Sequence, residues 1–84
     1  MVLAFHHTKP FWQNHVVAIP KRHIPSLLEL EIGSELANEL IDTVQELAKN
    51  MKNDKGACRV LTNLGEYQDS KHIHFHVAQG EQLR

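Results

Sequence analysis

The segment from His72 to Ala78, HIHFHVA, carries a histidine at every second position and an apolar residue after each one. Successive side chains of a β-strand point to opposite faces of its sheet, so this alternation predicts a strand with two different faces. The face expected to pack on the core carries Ile73, Phe75 and Val77, and the other carries His72, His74 and His76. The segment therefore predicts a rigid strand that holds three imidazoles in a row.

The rest of the chain predicts three more strands and one long helix. The strands are expected from apolar and β-branched content at Met1–His6, His15–Pro20 and Cys58–Asn63. Between the second and third of these strands the apolar residues recur every three or four positions, which indicates a helix that is capped by Ser34 and ends at Gly56. The sequence therefore predicts one α+β domain over residues 1–84, an antiparallel sheet of about four strands with one main helix packed on one face.

Composition excludes several classes of partner. The 84-residue chain has a formal net charge of −1 and no basic stripe, so it is not expected to bind nucleic acid. No stretch approaches the roughly 20 apolar residues of a membrane span, so no membrane partner is expected. A single cysteine, Cys58, cannot form an internal disulfide, and no signal-peptide pattern opens the chain, so we predict a cytoplasmic protein.

A row of imidazoles has three possible interpretations. Imidazole has an unperturbed pKa of about 6.5, so at pH 7 it can be a nucleophile, a base or a metal ligand. A metal site is one alternative, although strand positions four apart lie about 13 Å apart, whereas zinc needs each nitrogen at about 2.0–2.1 Å. A solvated sheet face without function is the second. The third, which we favour, is a phosphate site in which one imidazole attacks phosphorus, with no metal and no cofactor.

The histidine segment is accompanied by two further motifs. Upstream lie LAFHHTKPFWQNHVVAIPKRHI and, before the final strand, VLTNLG. With HIHFHVA, these blocks resemble the histidine triad superfamily of nucleotide hydrolases and transferases, from about Val2 to the end of the chain. The greatest similarity is to the branch that acts on purine nucleoside phosphoramidates. The resemblance implies cleavage at the α-phosphate through a covalent nucleotidyl-histidine intermediate, an AMP-like purine nucleotide as ligand, and a homodimer.

The resemblance also implies a catalytic role for four histidines. His74 falls at the position of the nucleophile, and His76 falls where a histidine donates to the phosphate. His72 falls where a histidine helps to fix the orientation and tautomer of the nucleophile. His15 matches the histidine that completes the polar network beside the triad.

Five further positions are implied to bind substrate. Asn63 matches an asparagine near the phosphate and ribose, and Phe5 and His6 match positions that line the base and ribose pocket. Gln68 and Ser70 lie near enough in sequence to replace a phosphate-contacting serine that the family has and this chain lacks.

The chain departs from the family pattern in three places. His7 stands where an aspartate usually grips the ribose hydroxyls, and Asp69 stands where the serine is expected. Because a carboxylate repels phosphate, we expect Asp69 to face away or to pair with Lys71 or Arg59. Family members usually carry some thirty residues before the opening strand, and these residues cover the base. We therefore expect one side of the nucleoside pocket to be open. A catalytically weak nucleotide-binding or interaction module that keeps the triad strand is therefore the alternative function.

Overall fold

The computed structural model describes residues 1–84 and contains one sheet and one long helix. The helix, α1, spans Glu35–Lys55, and the strands are β1 Val2–His6, β2 Trp12–Pro20, β3 Arg59–Leu61 and β4 Phe75–Gln82. Single turns of 3₁₀-helix cover Leu27–Glu29 and Gly65–Tyr67. The predicted α+β class, with four strands and one main helix, is confirmed. No helix combines the length and the apolar character that crossing a bilayer requires.

The sheet is antiparallel throughout, in the order β1-β2-β4-β3. The two longest strands lie at its centre, where Val16 pairs with Val77 and Val17 pairs with His76. His76 is thus fixed between two neighbouring strands, because Leu61 of β3 pairs with it from the other side. A histidine in this position has little backbone freedom.

The apolar core lies between α1 and one face of the sheet. Its buried members are Val16, Ala18, Ile24, Leu40, Val44, Met51, Ile73, Phe75 and Val77. Ile73, Phe75 and Val77 all belong to this cluster, whereas the histidines between them are only half-buried. The predicted alternation along residues 72–77 is confirmed, and the apolar side chains anchor the segment that carries the histidines.

The helix begins and ends at the predicted residues. The Ser34 hydroxyl accepts a hydrogen bond from the Ala37 N–H at 3.1 Å, which satisfies one of the free amides of the first turn. At the other end Gly56 adopts φ 84°, a left-handed conformation that favours glycine, and its N–H donates to the Lys52 carbonyl at 2.7 Å. The caps therefore fix where α1 stops and the chain turns back to β3.

The strand bounds differ from prediction because tertiary pairing decides them. β2 begins at Trp12 rather than His15, since Trp12 pairs with Gln82 of a β4 strand that runs beyond Ala78. At its other end β4 begins at Phe75, because the Ile73 N–H donates to the Ile24 carbonyl at 2.7 Å rather than to a strand. Of the first two histidines of the row, His72 therefore lies in a bend and His74 in the irregular segment that leads into β4.

Leu40, which is fully buried in the core, tests the packing of α1 on the sheet. We expect Leu40→Ala to lower the free energy of unfolding by about 2–5 kcal/mol, because it removes buried methyl groups and leaves a cavity. Tyr67→Ala is the control: Tyr67 is 80% exposed, and its truncation should change stability by less than about 0.5 kcal/mol. Equal losses in urea unfolding would contradict the core described here.

Candidate active site

The predicted histidines lie on the sheet face opposite α1. Cross-strand partners share a face, so Phe5, Val17 and His76 form one row across β1, β2 and β4. The neighbouring partners Val16 and Val77 belong to the core and point the other way. One side of the sheet therefore carries the core and the other carries the polar site.

A small cavity of about 80 Å³ opens beside the histidines on this face. Its lining contains no hydrophobic residue and consists of His7, Asn63, Gln68, Asp69, Ser70, His72, His74 and His76. The cavity thus brings together the three histidines of the row with Asn63, Gln68 and Ser70, which sequence analysis placed at the substrate. An all-polar cavity of this size suits a phosphoryl group better than an apolar ring.

The backbone fixes the tautomer of His74. Its Nδ1 lies 2.6 Å from the carbonyl oxygen of His72. Because a carbonyl oxygen only accepts hydrogen bonds, Nδ1 carries a proton, and in the neutral ring Nε2 therefore keeps its lone pair. The Thr62 hydroxyl donates to the carbonyl of His74 at 2.6 Å, which holds the same residue from the loop after β3. His74 therefore offers an unprotonated nitrogen, the form that acts as a nucleophile.

A chain of hydrogen bonds gives His76 the opposite tautomer. The Phe11 N–H donates to Nδ1 of His15 at 3.1 Å, so the proton of neutral His15 is on Nε2. That Nε2–H donates to Nδ1 of His76 at 2.8 Å. The proton of neutral His76 is therefore on Nε2, where it can be donated to an oxygen of a bound phosphoryl group. In their neutral forms, His74 thus has a lone pair on Nε2, and His76 has an N–H donor on Nε2.

Burial and neighbouring imidazoles favour the neutral forms of His15 and His76. Burial, and then the charges of His7 and His76, lower the pKa of His15 to about 4. Burial lowers the pKa of His76 as well, assisted by His7 and His74 and opposed by the carboxylate of Asp69. The hydrogen bond from Phe11 agrees with these shifts, because Nδ1 of His15 can accept it only while unprotonated.

His72 acts through its backbone rather than its ring. Its Nε2–H donates to the Pro20 carbonyl at 2.8 Å, and its Nδ1 accepts the Ile24 N–H at 3.3 Å. Both ring nitrogens are thus occupied by the end of β2 and the segment that follows it, and the ring stacks on His23 with centroids 5.2 Å apart. The group that fixes the tautomer of His74 is the carbonyl of His72.

His6 does not reach the cavity, whereas sequence analysis expected it in the nucleoside pocket. Alternation along β1 puts Val2 and His6 on the helix side, where Val2 packs against the core and His6 lines a cleft with Leu47 and Asp54. Phe5 lies on the cavity side, beside Val17 and next to the half-exposed Leu3. Of the two β1 residues, only Phe5 is on the face that carries the histidine row.

The same alternation brings His7 to the cavity, a position that the strand pattern of Leu3, Phe5 and His7 would have revealed. Its ring stacks on His15 with centroids 4.5 Å apart. The Lys9 N–H donates to Nδ1 of His7 at 2.9 Å, so neutral His7 carries its proton on Nε2. His7 is therefore a further hydrogen-bond donor at the site.

The expectation that Asp69 faces away is wrong. Asp69 lines the cavity, and its carboxylate raises the pKa of His76 in the same wall. The two expected partners are engaged elsewhere: Lys71 donates to the Gly65 carbonyl and Arg59 to the Gly80 carbonyl, each at 3.3 Å. A carboxylate therefore stands in the wall of a polar cavity that no lysine or arginine lines.

The nitrogens of His7, His15 and His76 approach within 4.8 Å of one another, a spacing that a metal ion can bridge. The hydrogen bonds argue against such a site. Metal-binding histidines normally donate their second ring nitrogen to a carbonyl or carboxylate, whereas here backbone N–H groups donate to Nδ1 of both His7 and His15. The Nε2 atoms of these rings hold protons and have no lone pair for a metal. The donor set does not fit a metal ion.

The shifted pKa of His15 makes stability depend on pH. In the unfolded chain His15 binds a proton with a pKa of about 6.5, and in the folded protein with a pKa of about 4. Between these values the unfolded chain holds more protons, so the stabilisation is complete above about pH 6.5 and is lost as the pH falls toward 4. We expect the free energy of unfolding to drop by about 2–3 kcal/mol from pH 7.5 to pH 4.5 through this group.

The control is His15→Gln, which keeps an amide donor but cannot titrate. Urea unfolding of this variant should show a markedly weaker dependence on pH, with the remainder due to other groups such as His76. Parallel pH profiles for the two proteins would contradict a neutral, buried His15.

Comparison with known proteins agrees with this geometry. The HIT domain family matches residues 1–83. An uncharacterised HIT-like protein of Buchnera aphidicola is 30% identical over 86 residues, which cover 98% of this chain and 76% of that protein.

Solved structures of the same family have the same fold. A HIT family hydrolase from Legionella pneumophila superposes with a TM-score of 0.80 at 28% identity, covering 99% of this chain and 77% of that one. A histidine triad protein from Clostridium difficile superposes with a TM-score of 0.78 at 29% identity, covering 99% and 75% respectively. With the family match over nearly its whole length, the chain belongs to the HIT family.

Proposed function

We propose that the protein hydrolyses a nucleoside phosphoramidate or a related nucleotide at the α-phosphate, with His74 as the nucleophile. The observation that carries this proposal is the hydrogen bond from Nδ1 of His74 to the His72 carbonyl, which leaves Nε2 as a free base inside an anion-sized cavity. The similarity to a HIT family hydrolase supports a hydrolytic reaction.

The first step transfers the nucleotide to the enzyme. The lone pair on Nε2 of His74 forms a bond to the α-phosphorus as the P–N bond of the substrate breaks. The leaving nitrogen, protonated by solvent, takes the bonding pair and departs as an amine. The nucleotidylated ring becomes cationic, and the His72 carbonyl stabilises that charge through the retained Nδ1 proton.

Donors on the cavity wall stabilise the charge that develops on the phosphoryl oxygens. His76 supplies its Nε2–H, and His15 holds that tautomer from behind. Asn63 and Ser70 also line the cavity and offer an amide and a hydroxyl. The side chain of Gln68 donates to the carbonyls of Pro25 and Ser70, so its role is to position the loop that carries Ser70.

The second step releases the product. The oxygen of a water molecule attacks phosphorus, the electron pair of the P–N bond returns to Nε2 of His74, and the proton of the water passes to solvent. The products are a nucleoside monophosphate and the free enzyme.

The nucleoside binds beside the cavity on the same sheet face. Leu3, Phe5 and Ile19 occupy neighbouring positions on that face of β1 and β2, and an apolar strip of this kind can support a purine ring. The strip is open to solvent, which also favours the second candidate, a nucleotide-binding module with little turnover. AMP binding by calorimetry without release of AMP from a phosphoramidate would favour the module.

We also infer a homodimer that closes over exposed apolar surface near the N-terminal end of α1. Leu28, Ile32 and Ile41 are all exposed there, and Ile32 is 97% accessible. Burial of such a patch against a second copy removes apolar surface from water.

The nucleophile is tested by His74→Ala. We expect this variant to lose AMP release from adenosine 5′-phosphoramidate by at least about 10³-fold, since no other nitrogen in the cavity has a free lone pair. Mass spectrometry of the quenched reaction should detect a nucleotidyl adduct on the unaltered protein and none on the variant. His6→Ala, on the opposite side of the sheet, is the control and should keep turnover. Full activity in His74→Ala would refute the assignment.

A further inference from the structure

Asp69 is the one acidic side chain in the cavity wall, and no lysine or arginine lines the cavity to offset it. Its carboxylate has no ion pair with Lys71 or Arg59, both of which donate to backbone carbonyls. A phosphate site usually excludes such a group, because like charges repel. Its presence calls for a substrate that carries compensating positive charge close to phosphorus.

The influence of Asp69 extends to the reacting groups. The cavity is small, and Asp69 shares its wall with both His74 and His76. Its charge raises the pKa of His76 against the lowering effects of burial and the neighbouring imidazoles. The carboxylate and the phosphate donor therefore interact through the cavity, and a group attached to the bound phosphorus lies within the same field.

The negative charge of Asp69 has opposite effects on two classes of leaving group. When a P–N bond breaks, the departing nitrogen is protonated and carries positive charge in the transition state. When a P–O bond to a phosphate or carboxylate breaks, the departing oxygen gains negative charge. A fixed carboxylate stabilises the first transition state and destabilises the second.

We propose that Asp69 selects the substrate by the charge of the group that leaves phosphorus. Amines, including those with a second positive charge, leave readily, and anionic groups such as the terminal phosphate of a nucleoside diphosphate are rejected. This inference rests on the proposed function, since it concerns the same site and the same attack by His74. It narrows the substrate class to phosphoramidates of basic amines.

The test compares two substrates, an adenosine 5′-phosphoramidate of an alkyl diamine and ADP, in both cases by release of AMP. Asp69→Asn keeps the shape of the side chain and removes its charge. We expect the ratio of kcat/KM for the phosphoramidate to that for ADP to fall about tenfold in this variant, equivalent to about 1.4 kcal/mol. Asp69→Glu should keep the ratio nearer to that of the unaltered protein.

Two further measurements separate charge from a structural role. Glu66→Gln removes a carboxylate from the neighbouring 3₁₀ turn, outside the cavity, and should leave the ratio unchanged. Raising the salt concentration to about 1 M shortens the Debye length to about 3 Å, so it should reduce the ratio in the unaltered protein and have less effect in Asp69→Asn. If Asp69→Asn does not fold, Asp69→Ser serves in its place.

The outcomes distinguish this inference from the function on which it rests. AMP release from the phosphoramidate with a ratio that stays within about twofold in Asp69→Asn would overturn the role of Asp69 and leave the function intact. No AMP release from either substrate by the unaltered protein would overturn both.

Discussion

The hydrogen bond between Nδ1 of His74 and the carbonyl oxygen of His72 determines the chemistry of the site. It joins residues only two apart in sequence, in the segment where the chain bends at His72 before β4 begins. An imidazole has one proton to place when neutral, so fixing it on Nδ1 leaves the lone pair on Nε2. The nucleophilic form of His74 is thus imposed by the backbone and needs no charged partner.

The backbone sets the other tautomers in the same manner. Amide groups of Lys9 and Phe11 donate to His7 and His15, and the proton on His15 in turn directs His76. The turn between β1 and β2 supplies both amides. It is held by the end of the chain, where Arg84 donates to the Lys9 carbonyl at 2.7 Å and the Leu83 N–H donates to the Phe11 carbonyl at 2.7 Å. The donors of the site therefore depend on contacts between this turn and the residues that follow β4.

Local patterns in the sequence predicted the elements that local physics decides. The alternation of histidine and apolar residues predicted the two faces of residues 72–77, and the caps at Ser34 and Gly56 predicted the ends of α1. The start of β4 was missed because a contact with Ile24, distant in sequence, takes the Ile73 amide out of the strand. The position of Asp69 at the cavity was not predicted, because Asp69 lies in an irregular loop, where no helical or strand repeat indicates which way a side chain faces. His6 lies on the helix side of the sheet, away from the histidine row, as the alternation along β1 already indicated.

The protonation state of His74 is the central claim, and nitrogen-15 NMR of the imidazole rings measures it directly. Long-range proton–nitrogen correlation spectra at about pH 7.5, above the unperturbed pKa of about 6.5, report which nitrogen of each neutral ring carries the proton. The account predicts a protonated Nδ1 and a bare Nε2 for His74, with the reverse arrangement for His15 and His76. A proton on Nε2 of His74 would contradict it, because the ring would then have no lone pair directed at phosphorus.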